Sequence, residues 1–154
     1  MTRFSPKKIL APVDFSKFSI DALRAALDIS EIRGAKVTAL HVTEEPSMPD
    51  TYGHSTMLHA NWQLIRERVF EESRAELEAL TLEAGDSQEV KCESIMGDPT
   101  NEILRMAKDG NFDLIVMSTH GRTELNCLLM GSVAERVIRH AQCPVLVVRG
   151  NGKS

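Results

Sequence analysis

Five short strand-like runs recur along this chain, at 7–13, 36–43, 89–96, 113–117 and 144–149, and a stretch with helical spacing lies between each pair. The runs are too short to be helices and are apolar or β-branched. The stretches between them carry apolar residues three and four positions apart, as one face of a helix requires. The order is therefore β-α-β-α-β-α-β-α-β. Strands separated by helices pair in parallel, because a parallel neighbour is reached only through a crossover. With right-handed crossovers, few arrangements remain. The natural one is a five-stranded parallel, doubly wound α/β sheet of order 3-2-1-4-5, a Rossmann-like or flavodoxin-like three-layer sandwich.

Local signals set the boundaries. Pro12 is unfavourable inside a central strand, so the first strand is expected to end at about Ala11. Asp14 or Ser16 could cap the helix that runs to about Arg33, with Ile20, Leu23, Ala26, Leu27 and Ser30 facing the core and Gly34 stopping it. The segment from Glu44 to Thr56, with Pro46, Pro49 and Gly53, is the longest irregular stretch. A long helix then spans about Met57 to Ala84, its buried line being Trp62, Ile65, Val69, Leu77 and Leu80. The third strand is expected from Glu89 to Met96, with Val90, Cys92, Ser94 and Met96 sharing a face. Asp98 then suits an N-cap and Pro99 the first helical position, with Ile103, Leu104 and Ala107 buried. Ser132 to Glu135 reads as a capping box for the last helix, whose apolar face is Val133, Val137, Ile138 and Ala141.

Composition excludes several classes. A length of 154 residues with 42% hydrophobic content suits one domain, 1–154, with a real core. A net charge of −4 without basic clusters argues against nucleic acid. No apolar run reaches a membrane span, and Pro12 and Asp14 interrupt any signal core, so a cytoplasmic protein is expected. Cys92, Cys127 and Cys143 lack paired spacing and read as free thiols.

Ligands of such sheets sit beyond the carboxyl ends of the strands, where the order reverses. Pro12, Val13 and Asp14, then His41 and Val42, then Met117 to Gly121 all meet that rim. After the fourth strand the chain reads Ser118-Thr119-His120-Gly121, a partly apolar loop, and Gly131-Ser132 at a helix start. Glycines beside a helix N-terminus let backbone N–H groups converge on an anion. Read alone, Gly121 and Gly131 are more simply ordinary turn glycines, and Ser132 could be only a helix cap. His120 has no nucleophile or orienting carboxylate set beside it, and His54 and His59 make a poor metal pair. Leu125, Leu128, Leu129 and Met130 are too apolar for a free loop, so they are expected to pack on a second subunit or over the site. No helix follows the fifth strand to cover its outer edge, so a second chain is expected along 144–149.

The residues ILAPVDFS near the start, LHV in the second strand, GDP before the third helix and DLIVMSTHGRTELNCLLMGSVAERVIRHAQCPVLVV resemble the universal stress protein family over nearly the whole chain. Its ATP-binding members are similar to a pattern G-x-x-G, nine residues, then G-(S/T). Here that pattern falls on Ser118 to Gly121, residues 122–130, and Gly131-Ser132, with Ser118 in place of the first glycine. The resemblance implies an ATP site. Pro12, Val13 and Asp14 would lie by the adenosine and near the phosphates. Val42 would meet the adenine edge, and Met117 and Ser118 the ribose. Gly121, Arg122, Gly131, Ser132 and Val133 would surround the phosphates, and Asp14 could reach a Mg or Mn ion carried by the nucleotide.

Three functions fit this reading. One is an ATP-binding homodimeric stress-response module without committed catalysis. Another is a slow ATP hydrolase centred on Asp14 and a metal. The third is a nucleotide-free dimer acting by protein association, which Ser118 would favour.

Overall fold

A computed structural model describes residues 4–48, 55–85, 90–120 and 130–149. The expectations for Glu89, His54, Gly121, Arg122, Leu125, Cys127, Leu128 and Leu129 lie outside the described residues. The elements are β1 (Lys8–Pro12), α1 (Lys17–Arg33), β2 (Lys36–Thr43), α2 (Thr56–Gly85), β3 (Val90–Met96), α3 (Pro99–Asp109), β4 (Leu114–Ser118), α4 (Ser132–His140) and β5 (Val145–Val148). The sheet is parallel throughout, with order β3-β2-β1-β4-β5. This is the expected doubly wound topology.

Two apolar clusters sandwich the sheet. On one face Ile9, Ala11, Val37, Ala39 and Val116 meet Leu23, Ala26, Leu27 and Leu77 of α1 and α2. On the other, Leu10, Leu40, Ile115 and Met117 meet Ile103, Ala107, Ala134 and Val137 of α3 and α4. The alternation along β1 and β4 is the period of two that sends neighbouring side chains to opposite faces. Strands buried on both faces must be apolar at nearly every position, which explains the unbroken runs in the sequence.

Several boundaries differ from the sequence reading. β1 runs one residue further than expected, through Pro12, which pairs in register with Leu40. The tolerance has a geometric cause. Val13 donates its N–H to the Leu40 carbonyl at 2.8 Å, so the neighbouring residue, Pro12, turns its nitrogen toward β4. The β1–β4 pairing has already stopped at Leu10↔Ile115, so no ladder bond is lost to the missing N–H.

Ile65 is exposed rather than buried, and among the described residues only Leu77 and Thr81 of α2 are fully buried. A helix of 30 residues is about 45 Å long. The 8 residues of β2 span about 26 Å, so the start of α2 has no sheet beneath it. Ile138 of α4 is likewise exposed.

Ser16 caps α1, accepting from the Ser19 N–H, and Asp98 caps α3 with Pro99 in its first turn. Gly34 closes α1 in the left-handed conformation at φ 66°. α4 starts differently from the expected capping box. Gly131 is its N-cap, extended at φ −61° and ψ 147°, and Ser132 is its first helical residue, too far along to cap. No helix among the described residues is long and apolar enough to cross a membrane.

Candidate functional site

The site lies where strand order reverses. β1 leads to α1 on one face of the sheet and β4 leads toward α4 on the other, so the chain parts above their carboxyl ends. A cleft of about 480 Å³ opens there, within the usual range for small-molecule sites. Pro12, Val13, Asp14, Val42, Met117, Ser118, Gly131, Ser132 and Val133 all line it. The structure thus brings together every described residue that the sequence placed at the site. Gly121 and Arg122 lie outside the described residues.

The β1–α1 turn builds one wall. Asp14 accepts hydrogen bonds through one carboxylate oxygen from the Ser16 N–H at 3.0 Å and the Ser16 hydroxyl at 2.5 Å. Its own N–H donates to the Ser19 hydroxyl oxygen at 3.2 Å. Phe15 sits at φ 65°, a left-handed conformation that costs a bulky residue about 1–3 kcal/mol. Its ring lies 4.2 Å from that of His41, whose Nδ1–H donates to the Val13 carbonyl at 2.7 Å. Ring contact and hydrogen bond together hold the turn that presents Asp14.

The end of β2 supplies a second wall. The β1–β2 ladder closes with the Val13-to-Leu40 bond. Val42 has the same parity as Leu40, so its amide and carbonyl on the β1 side lie beyond the ladder. The end of β4 and the start of α4 supply the third wall. Ser118 is buried strand backbone, and its hydroxyl donates to the His120 carbonyl at 2.7 Å. Gly131 donates its N–H to the Thr119 carbonyl at 2.7 Å, which fixes the head of α4 against the end of β4. The Gly131 carbonyl accepts the first helical bond, from Glu135, and among the described residues no side chain caps the turn. The early N–H groups of α4 and its positive dipole end therefore face the cleft without a capping oxygen from the described residues.

Sequence reasoning missed Ser19, Leu40, Thr43, Glu44, Val69, Ser73, Pro99, Ile103 and Ala134, which also line the cleft. For Val69 and Ser73 the length mismatch between α2 and the sheet was the available signal. It places the middle of α2 beside the rim. Two polar atoms of lining residues are buried with no partner among the described residues, Thr43 Oγ1 and His120 Nε2. The described residues contain no cluster of three or more His, Cys, Asp or Glu side chains that could hold a metal unaided. Away from the cleft, Cys92 and Cys143 are free thiols. Burial pushes the Cys143 thiol above its ordinary range, which suits packing rather than thiolate chemistry.

A doubly wound parallel sheet with an open cleft at its switch point defines a class of α/β modules that hold small ligands at the strand ends. Residues 6–149 match the model of the universal stress protein family, and the chain belongs to that family. It is 38% identical to universal stress protein MJ0531 of Methanocaldococcus jannaschii over 144 residues, 93% of this chain and 82% of that protein. The solved structure of MJ0577 from the same organism superimposes with a TM-score of 0.80 at 32% identity, covering 96% of this chain and 98% of that one. Two remoter structures share the fold at 19% identity. One is a universal stress protein in complex with cAMP, at a TM-score of 0.62 with 95% of this chain and 98% of that one covered. The other is a family protein of Arabidopsis thaliana with AMP bound, at a TM-score of 0.61 with 96% and 94% covered.

Proposed function

We propose that this chain is an adenine-nucleotide-binding module of the universal stress protein family, working as a cytoplasmic homodimer whose output is conformation or association rather than turnover. The observation that carries the reading is the switch-point cleft. It gathers an uncapped helix start, an unladdered backbone edge at Val42 and the Asp14 turn in one cavity of nucleotide size. The adenine nucleotides in two structures of the same fold agree with that choice of ligand.

The residues fit the group. The Val42 N–H and carbonyl would offer a donor and an acceptor to adenine, whose base-pairing edge presents one acceptor and one donor. Guanine presents these in the opposite sense. Pro12, Val13 and Met117 would supply apolar contact, and Ser118 would stand at the ribose side. Gly131, Ser132 and Val133 would give backbone N–H groups to phosphate, with Gly121 and Arg122 completing that end. Asp14 would contact a Mg or Mn ion whose remaining ligands are phosphate oxygens and water. ATP is the proposed nucleotide.

Ser118 does not count against binding. Phe15 and Asn111 are the described non-glycine residues with positive φ, so the strand backbone at Ser118 accepts a side chain without strain.

Native mass spectrometry of the protein with millimolar Mg-ATP tests the reading. One adenine nucleotide per subunit is expected. Gly131→Asp keeps a favoured N-cap residue but sets a carboxylate at the phosphate end. It is expected to weaken ATP binding at least tenfold without lowering the melting temperature. Wild-type protein that ignores millimolar Mg-ATP would overturn the proposal.

A further inference from the structure

We infer that His41 is a positioning residue for base recognition, its imidazole holding the Val13 carbonyl so that the Val42 N–H is left for the base of the bound nucleotide. The inference rests on the nucleotide reading above and names the side chain that governs its base contact. It starts from a rung missing from the sheet. β1 and β2 pair in register from Lys8↔Lys36 to Pro12↔Leu40. One step further sets Val13 opposite His41. In a parallel ladder such a residue donates its N–H to the residue before its partner and accepts at its carbonyl from the residue after it. Val13 makes the first of these bonds, to the Leu40 carbonyl at 2.8 Å. The second, from the Val42 N–H to the Val13 carbonyl, is absent among the described residues.

β2 has not frayed at this point. On its other side it keeps its register with β3 through Val42↔Ile95 and Thr43↔Met96, and the Thr43 carbonyl accepts the Gly97 N–H at 3.0 Å. The Val13 carbonyl is taken instead by the His41 side chain, whose Nδ1 lies 2.7 Å away. A carbonyl oxygen can only accept, so Nδ1 carries the ring hydrogen and donates it. His41 is 7% exposed, and the Phe15 ring lies against it at 4.2 Å, tilted by 32°. Phe15 reaches that place through its left-handed backbone at φ 65°. A bulky residue keeps such a conformation only where its surroundings hold it.

The consequence falls on the cleft. A backbone N–H withdrawn from its ladder needs another acceptor. Val42 is half-buried and lines the cavity. The N1 atom of adenine is an acceptor and satisfies the Val42 N–H. The N1 atom of guanine carries a hydrogen and would set donor against donor. His41 thus bears on base choice without touching the base.

The first arm of the test reads the free protein, by amide hydrogen exchange resolved in nitrogen-15 spectra. In the wild type the Val42 amide is expected to exchange about tenfold faster than that of Leu40, which lies inside the ladder. His41→Phe keeps a ring against Phe15 but has no donor. Its Val42 amide is expected to slow about tenfold as the rung closes. His41→Asn, whose amide nitrogen can stand where Nδ1 stands, is expected to return toward the wild-type rate. An unchanged rate in His41→Phe overturns the inference. A wild-type Val42 amide as slow as that of Leu40 overturns it without any variant.

The second arm titrates Mg-ATP and 1-deaza-ATP, in which a C–H replaces N1, by calorimetry. The wild type is expected to prefer ATP about tenfold. His41→Phe is expected to bind the two within about twofold, through a loss for ATP alone, and His41→Asn to recover part of the preference. A His41 that only packs would weaken both nucleotides alike and keep their ratio. That outcome overturns the inference and leaves the nucleotide site standing. Wild-type protein that binds neither nucleotide overturns the nucleotide reading, and the inference with it.

Discussion

Ser118 shows how a single position can mislead when read from a pattern. A serine in place of a glycine invites the idea that a left-handed backbone has been lost. The backbone there is strand, and the hydroxyl spans two residues to the His120 carbonyl. The serine therefore fastens the turn that a glycine would leave loose. Ser118→Gly is expected to destabilise the fold by about 1 kcal/mol in denaturant melts, through a lost hydrogen bond and a freer unfolded chain. It is expected to alter ATP affinity by less than about threefold. ATP binding that appears only in the glycine variant would mean that the wild type belongs with the nucleotide-free members. Ser132 misleads in the opposite way. Its neighbours spell a capping box, yet Gly131 takes the cap because it is the residue whose carbonyl accepts from Glu135. Sequence spacing cannot separate registers one residue apart when both residues favour caps.

At the scale of elements the sequence was most legible where one face is buried throughout. All five strands and four helices of the described residues were visible in it, because burial on both faces of a parallel sheet enforces continuous apolar runs. The bounds of β2, Lys36–Thr43, were read to the residue. α2 was the least legible. Its apolar period continues past the point where the sheet ends, so Ile65 keeps the spacing of a core residue without a core to enter. Leu77 is fully buried against the sheet. Leu77→Ala is expected to cost about 2–5 kcal/mol in chemical denaturation, whereas Ile65→Ala is expected to stay within about 0.5 kcal/mol. Equal losses at the two positions would show that the start of α2 is packed in solution. The cleft was legible where its walls are strand ends, since topology alone sends those ends to one rim. Thr43 was not legible, because nothing in the local sequence marks its hydroxyl as facing a cavity.

For the whole molecule, the proposed dimer and the proposed ligand meet through one strand. β5 is the edge of the sheet, and Leu146 on it is 41% exposed. The carbonyls of Pro144 and Val148 bond to β4, at Ile115 and Thr119, so Val145 and Val147 turn their backbone groups outward. Val147→Pro removes an outward donor without touching the ladder to β4. It is expected to convert dimer to monomer in sedimentation velocity at micromolar concentration. A variant that sediments as the wild type would place any dimer contact elsewhere.

The seam between β1 and β4 differs between its two ends. At its base it is clasped, with the Asp113 carboxylate accepting the Lys7 and Lys8 N–H groups at 2.8 and 2.9 Å. Above Leu10↔Ile115 it is unpaired, and there the cleft begins. The seam is thus clasped at one end and open at the other. Asp14 and Val42 line the cleft on one side of the seam and Gly131 on the other, so the proposed nucleotide would bridge the two sides. The edge strand β5 pairs with β4, on the same side of the seam as α4.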